Sequence, residues 1–219
     1  MKQAVAVSPA AATNVLLLKH LAQIAERRGD NVLALDYYNL AIGQDDKGVD
    51  LLLGRAALQM KMGNENAALA DYATVLTLSP DNSDALLMRA VIYRKRHQWK
   101  DARADYERLL SADATNLAAL TGLALVNDAD RRPVEAMENI NLAIAMHPRS
   151  AAPYAIRAGM KMQRKLWDDA EADYAEAIKI EPDNPAYYLA RAQFYHERHN
   201  SRAARADIQR AAQLQREIK

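Results

Sequence analysis

Alanine recurs at two fixed places every 34 residues along this chain, and that recurrence constrains the fold more than any other feature. Counted in 34-residue units from Val15, the eighth position is Ala22, Ala56, Ala90, Ala124, Ala158 and Ala192. The twentieth is Ala34, Ala68, Ala102, Ala136, Ala170 and Ala204. With 44 alanines among 219 residues, twelve matches in twelve places exceed what chance would give. Six units follow without a gap: 15–48, 49–82, 83–116, 117–150, 151–184 and 185–218. Trp99 and Trp167 keep the spacing at two periods, and Asp81-Asn82 recurs as Asp183-Asn184 at three.

Each unit reads as two helices. Gly and Pro number only 7 each, and abundant Ala favours helix. Pro80, Pro148 and Pro182 all fall at position 32, where a proline stops a helix. The pattern predicts a first helix over positions 2–14, a turn near position 15 where Gly29 and Gly63 sit, and a second helix over 18–31. Methyl side chains at positions 8 and 20 let the two axes approach closely. Position 24 (Tyr38, Tyr72, Tyr106, Ile140, Tyr174, Ile208) fills the space beside them.

This 34-residue helix–turn–helix pattern, with small, aromatic and proline landmarks, resembles the tetratricopeptide repeat (TPR) family. The resemblance implies an all-α fold: an α-solenoid of six consecutive repeats forming a right-handed superhelix, with residues 15–218 as a single domain. Residues 1–14 are read as a flexible arm, with Thr13 or Asn14 capping the first helix. The departures are informative. The Gly of the family at position 8 is Ala throughout, and its Tyr at position 11 survives only as Tyr93 and Tyr195. Position 7, usually apolar, is Arg55, Arg89, Arg157 and Arg191 in four units, and the same four carry Asp71, Asp105, Asp173 and Asp207 at position 23. Residues that appear and vanish together predict an Arg–Asp bridge within each repeat, since the planar guanidinium can meet a carboxylate bidentately.

The two ends differ. Position 28 is a large aliphatic residue in five units and Ala212 in the sixth, where arginines crowd the helix, so the sixth repeat reads as a C-terminal cap. The first helix, Val15-Leu16-Leu17-Leu18-Lys19-His20-Leu21, is apolar on nearly every side. The N-terminal arm, a second copy or a partner must cover it, so homodimerisation through this helix is one expectation. No run of eighteen apolar residues exists, which argues against membrane insertion, and the apolar stretch before Ser8 and Pro9 is too short for a signal peptide. A cytoplasmic location follows if Met1 is the native start, and a periplasmic one if a signal segment was removed.

Nothing in the sequence supports an active site. The absence of cysteine rules out a disulfide framework, a thiolate metal site and a Cys nucleophile. No Gly-rich phosphate loop, HExxH or GxSxG is present. His196 and His199 alone have ligand-like spacing, but two ligands without a third do not define a metal site, and His199 shares its turn column with His97. Trp99 and Trp167 occupy a packing column. No metal and no cofactor are expected. A formal net charge of +1 removes the main argument for a nucleic-acid partner.

In the TPR family the first helices line a concave groove through positions such as 5, 9 and 12. Carried across, the candidate partner-binding residues are Lys19, Leu53, Leu87 and Thr121 at position 5, and Gln23, Ala57, Val91, Leu125 and Gln193 at position 9. Met60, Arg94, Asp128 and Met162 complete them at position 12. The resemblance implies an exposed apolar strip that takes a helix or extended peptide, with Arg94 as the candidate for an anionic group on that partner. Lys19 matches one residue of the clamp by which some TPR proteins grip a C-terminal carboxylate, but Gln23 and Gly54 stand where that clamp needs other residues. The function expected is a non-enzymatic protein-interaction scaffold or adaptor. An RNA-binding helical repeat and the regulatory subunit of an enzyme are the alternatives, and a strict period of 34 with an apolar groove counts against the first.

Overall fold

The computed structural model describes residues 14–217. Twelve α-helices succeed one another in them: α1 (Val15–Arg27), α2 (Asn31–Gln44), α3 (Val49–Lys61), α4 (Glu65–Leu78), α5 (Ser83–Lys95), α6 (Trp99–Ala112), α7 (Leu117–Ala129), α8 (Pro133–Met146), α9 (Ala151–Gln163), α10 (Trp167–Ile180), α11 (Pro185–Glu197) and α12 (Ser201–Glu217). Odd-numbered helices begin at position 1 of each segment and even-numbered ones at position 17, one residue before the periodicity places them. At four of the six first helices the cause is an asparagine immediately ahead. Asn14, Asn82 and Asn116 accept the backbone N–H three residues on, at 2.9–3.0 Å, and Asn184 accepts that of Ala186 at 3.1 Å. Asn14 is thus the cap of α1, and the arm expected over residues 1–14 otherwise lies outside the described residues. None of the helices is long and apolar enough to cross a membrane among the described residues.

The turn inside every pair is the same device. The N–H of position 16 bonds back to the carbonyl of position 11, from Asp30 to Ala25 (3.0 Å) through Asn200 to Tyr195 (2.9 Å). That closure needs a left-handed residue between them. Gly29 and Gly63 supply it without strain, whereas His97, Arg131, Lys165 and His199 adopt φ of 55–59° there.

Packing follows the columns. Alanines at positions 8 and 20 are buried in every pair, and Tyr38, Tyr72, Tyr106, Ile140 and Tyr174 are buried beside them. The cluster around Leu18, Ala22, Ala34 and Tyr38 also takes in Leu51 and Leu58 from the next segment. Phe194 likewise joins Ala158, Ala170 and Tyr174 of the pair before it. Positions 3 and 10 of a first helix are therefore the residues that plug into the preceding pair.

All four expected Arg–Asp bridges form, each bidentate: Arg55–Asp71 at 2.9 and 2.6 Å, Arg89–Asp105 at 2.8 and 2.7 Å, Arg157–Asp173 at 2.8 and 2.6 Å, Arg191–Asp207 at 2.8 Å twice. The aspartates are buried, and hydrogen bonding to them raises the pKa of each arginine. Two further links escape the sequence pattern. Arg55 and Arg157 also donate to Asn39 and Asn141 of the preceding segment, both at 2.8 Å.

The helices group into two compact units, one ending at Ala112 and one beginning at Asp113. Each holds three helix pairs. The units also echo each other in sequence at a spacing of 102 residues: Asn39-Leu40-Ala41-Ile42 returns as Asn141-Leu142-Ala143-Ile144, and Ala102-Arg103-Ala104-Asp105 as Ala204-Arg205-Ala206-Asp207.

Candidate functional site

Positions 5, 9 and 12 are four and three residues apart, so they share one face of each first helix. In the unit ending at Ala112 that face carries Lys19 and Gln23 on α1, Leu53, Ala57 and Met60 on α3, and Leu87, Val91 and Arg94 on α5. Ala57 is exposed and the rest are half-buried. In the other unit Thr121, Leu125, Asp128 and Met162 are half-buried and Gln193 is exposed. The apolar residues are therefore less open than expected. First helices lie close enough for Lys19 of α1 to ion-pair with Asp50 at the start of α3, and Met162 packs against the Tyr174–Phe194 cluster. Leu189, at position 5 of α11, is the one large apolar residue of these columns that is exposed, at 44%.

The polar candidates are already engaged. Lys19 is held by Asp50, whose carboxyl sits below its usual pKa because of that hydrogen bond. Arg94 hydrogen-bonds the Tyr106 hydroxyl, so its guanidinium is partly committed within the protein, although its Nε is buried without an acceptor. Burial raises the Tyr106 pKa and Arg94 opposes that rise. Asp128 is taken by Arg164, and the Thr121 hydroxyl donates to the Leu117 carbonyl at 2.7 Å. What stays unengaged on this surface is mainly aliphatic.

Two acidic neighbours on the same surface bear on it. Glu26 meets the Tyr38 hydroxyl, and with burial it pushes the pKa of Tyr38 up. The ring of Tyr38 in turn explains Gly54, since a Cβ there would stand 2.7 Å from the Tyr38 oxygen. No polar side chain at position 54 could complete a carboxylate clamp. Asp50 could have been found from sequence, because acids occupy position 2 only at Asp50 and Asp84.

Residues set aside as packing groups behave as such. His97 meets Trp99 edge-on at 4.9 Å. Trp167 lies 6.1 Å from Phe194, under the Arg198 guanidinium at 5.6 Å. His196 and His199 are both exposed. Open depressions lie at the loops between pairs, such as the one of about 490 Å³ lined by Met146, His147 and Glu181. They lie away from the aliphatic columns.

Known proteins bear on this architecture directly. The tetratricopeptide repeat family matches residues 51–116 and 87–151. A tetratricopeptide repeat protein from Parabacteroides merdae is 25% identical and superposes with a TM-score of 0.82, covering 94% of this chain and 81% of its own. This chain is a TPR protein. Two further TPR-like structures show the same fold. PilW, a widely conserved type IV pilus biogenesis factor, is 18% identical with a TM-score of 0.75, covering 93% of each chain. YrrB, a TPR protein with an unusual peptide-binding site, is 18% identical with a TM-score of 0.56, covering 81% of this chain and 92% of its own. No curated protein matches the chain. TPR membership makes protein interaction the coarse function of the molecule.

Proposed function

We propose that this TPR protein is a non-enzymatic scaffold whose first-helix surfaces bind a peptide or helical segment of a partner protein. The observation that carries the reading is the contrast on those surfaces. Lys19, Arg94, Thr121 and Asp128 have internal partners, while Leu53, Leu87, Val91, Leu125 and Leu189 remain solvent-accessible with no polar group to satisfy. Such a surface favours an aliphatic or aromatic face over a charged motif. Helical segments and extended peptides both present one.

Affinity capture from the source organism tests this, comparing wild type with Leu87→Asp and Leu125→Asp as separate variants. Val134→Asp, at a residue 65% exposed at the start of α8, is the control. Partners lost from either groove variant and kept by the control support the reading. Retention of every partner by both folded groove variants sinks it.

A further inference from the structure

The first helix pair exposes residues at positions that later pairs mostly hide. Position 10 is Leu58, Ile92, Val126, Met160 and Phe194 in the later segments, each at most 2% exposed, but Ile24 in α1 is 44% exposed. Position 3 is buried at Leu51, Ala85, Ala119 and Pro153 and half-buried at Tyr187, but Leu17 is 38% exposed. Within each unit these two positions seat a first helix on the pair before it, as Leu51, Leu58 and Phe194 show. In α1 they stand open, beside Leu16 at 62%.

Against α7, the equivalent helix of the second unit, this face is larger. Leu16, Leu17 and Ile24 correspond to Ala118, Ala119 and Val126 of α7. An end that only needed capping would carry polar residues there. The last pair is reduced instead, with Ser201, Ile208, Ala211 and Ala212 where α6 has Trp99, Tyr106, Leu109 and Leu110.

We infer that the Leu17–Ile24 face of α1 is a docking surface for the same face of a second copy of this chain. Three observations favour that occupant. The face is self-complementary: with Leu17 and Ile24 seven residues apart, a two-fold axis near His20 and Leu21 sets Leu17 of one copy on Ile24 of the other. The opposite end is a poor mate, because α12 keeps only Ile208 as an exposed large apolar residue and presents Arg202, Arg205 and Arg216 as exposed side chains. A formal net charge of +1 leaves two copies almost without mutual repulsion. The pairing is isologous, so it closes at a dimer. It does not depend on the groove reading, and its test uses no other partner.

Sedimentation of the purified chain from about 1 to 200 µM is the first measurement, over the range where interfaces below standard size associate. A monomer–dimer equilibrium is expected, with the dissociation constant rising at least tenfold in Ile24→Asp and unchanged in Ile208→Asp. Circular dichroism checks that both variants remain folded. The lack of cysteine allows a second, geometric test. His20→Cys, next to the axis, should form a covalent dimer under mild oxidation, and Ile208→Cys should not. A chain that stays monomeric throughout overturns the inference. So does a ladder of larger species abolished by Ile208→Asp, which would mean head-to-tail stacking. A dimer seen only after removal of residues 1–13 also overturns it, since that segment would then be the natural cover.

Discussion

Residues 15–116 and 117–218 are two versions of one three-pair design, and their differences fall at positions whose contacts are visible. In the first unit Asp71 has a single cation, Arg55, and position 59 is Gln. In the second, Asp173 has Arg157 and also Lys161 at 2.8 Å, from the position equivalent to Gln59. The first unit pairs a large Tyr38 with Gly54, and the second has Ile140 and Ile156 at those places. The first unit uses glycine for two of its three left-handed turns and the second for none. One backbone plan therefore accepts different distributions of charge, volume and strain. The equivalent positions are natural controls for each other.

The largest expected effect is on the buried aspartates. Arg55→Leu leaves Asp71 without a cation and should cost about 3 kcal/mol, because an uncompensated buried charge is expensive. Arg157→Leu leaves Lys161 on Asp173 and should cost roughly half as much by the same reasoning. Urea unfolding of the two variants measures both, and equal losses would break the comparison. Next comes Gly54→Ala, whose methyl group meets the Tyr38 ring and should cost about 2 kcal/mol through overpacking. Adding Tyr38→Ile, the residue type of the other unit, should restore most of that stability. Failure to recover would mean that something besides the Tyr38 ring demands glycine.

Alkali should act on both units, more gently. Burial raises the phenols of Tyr38, Tyr72 and Tyr106 in the first unit, with Tyr72 pushed up to about 12, and those of Tyr174, Tyr187 and Tyr195 in the second. A phenol raised on folding stabilises fully below its unfolded pKa and loses that contribution as pH climbs through the folded one. Stability of both units should therefore fall between about pH 10 and 12. Hydrogen exchange resolved by helix reads this out, and loss confined to one unit would contradict it. The smallest effect is at the turns. Lys165→Gly should gain roughly 1 kcal/mol by relieving a left-handed lysine, and Gly63→Lys should lose about as much. A thermal shift of either variant in the opposite direction would show that contacts of the side chain, rather than φ, decide this position.

Much of the fold was legible because it is periodic. Two alanine columns set the register, and the joint occurrence of Arg55 with Asp71, and of its three counterparts, located the bridges before any coordinates. Helix starts were misplaced by one residue because hydrophobic period locates a face, whereas the Asn82 or Asn116 cap locates an end. The surface was harder to read. A column gives the direction of a side chain from its own helix, but Lys19 and Asp128 are claimed by residues of neighbouring helices, at offsets no single column displays. Asn39 and Asn141 escaped for the same reason. Their signal was present, since position 25 is Asn only in the two segments that lack the Arg–Asp pair.

Those two asparagines also bear on how the array comes apart. Arg55 binds Asn39 behind it and Asp71 ahead of it, so the first and second pairs share one guanidinium, and Arg157 joins the fourth and fifth in the same way. Arg89 and Arg191 follow Ala73 and Ala175 at the corresponding place, which offer no such oxygen. Opening should then proceed in blocks, with pairs one and two exchanging their amides together, four and five together, and three and six each on its own schedule. The repeat that evolution copied is 34 residues long, but the piece that breathes is not.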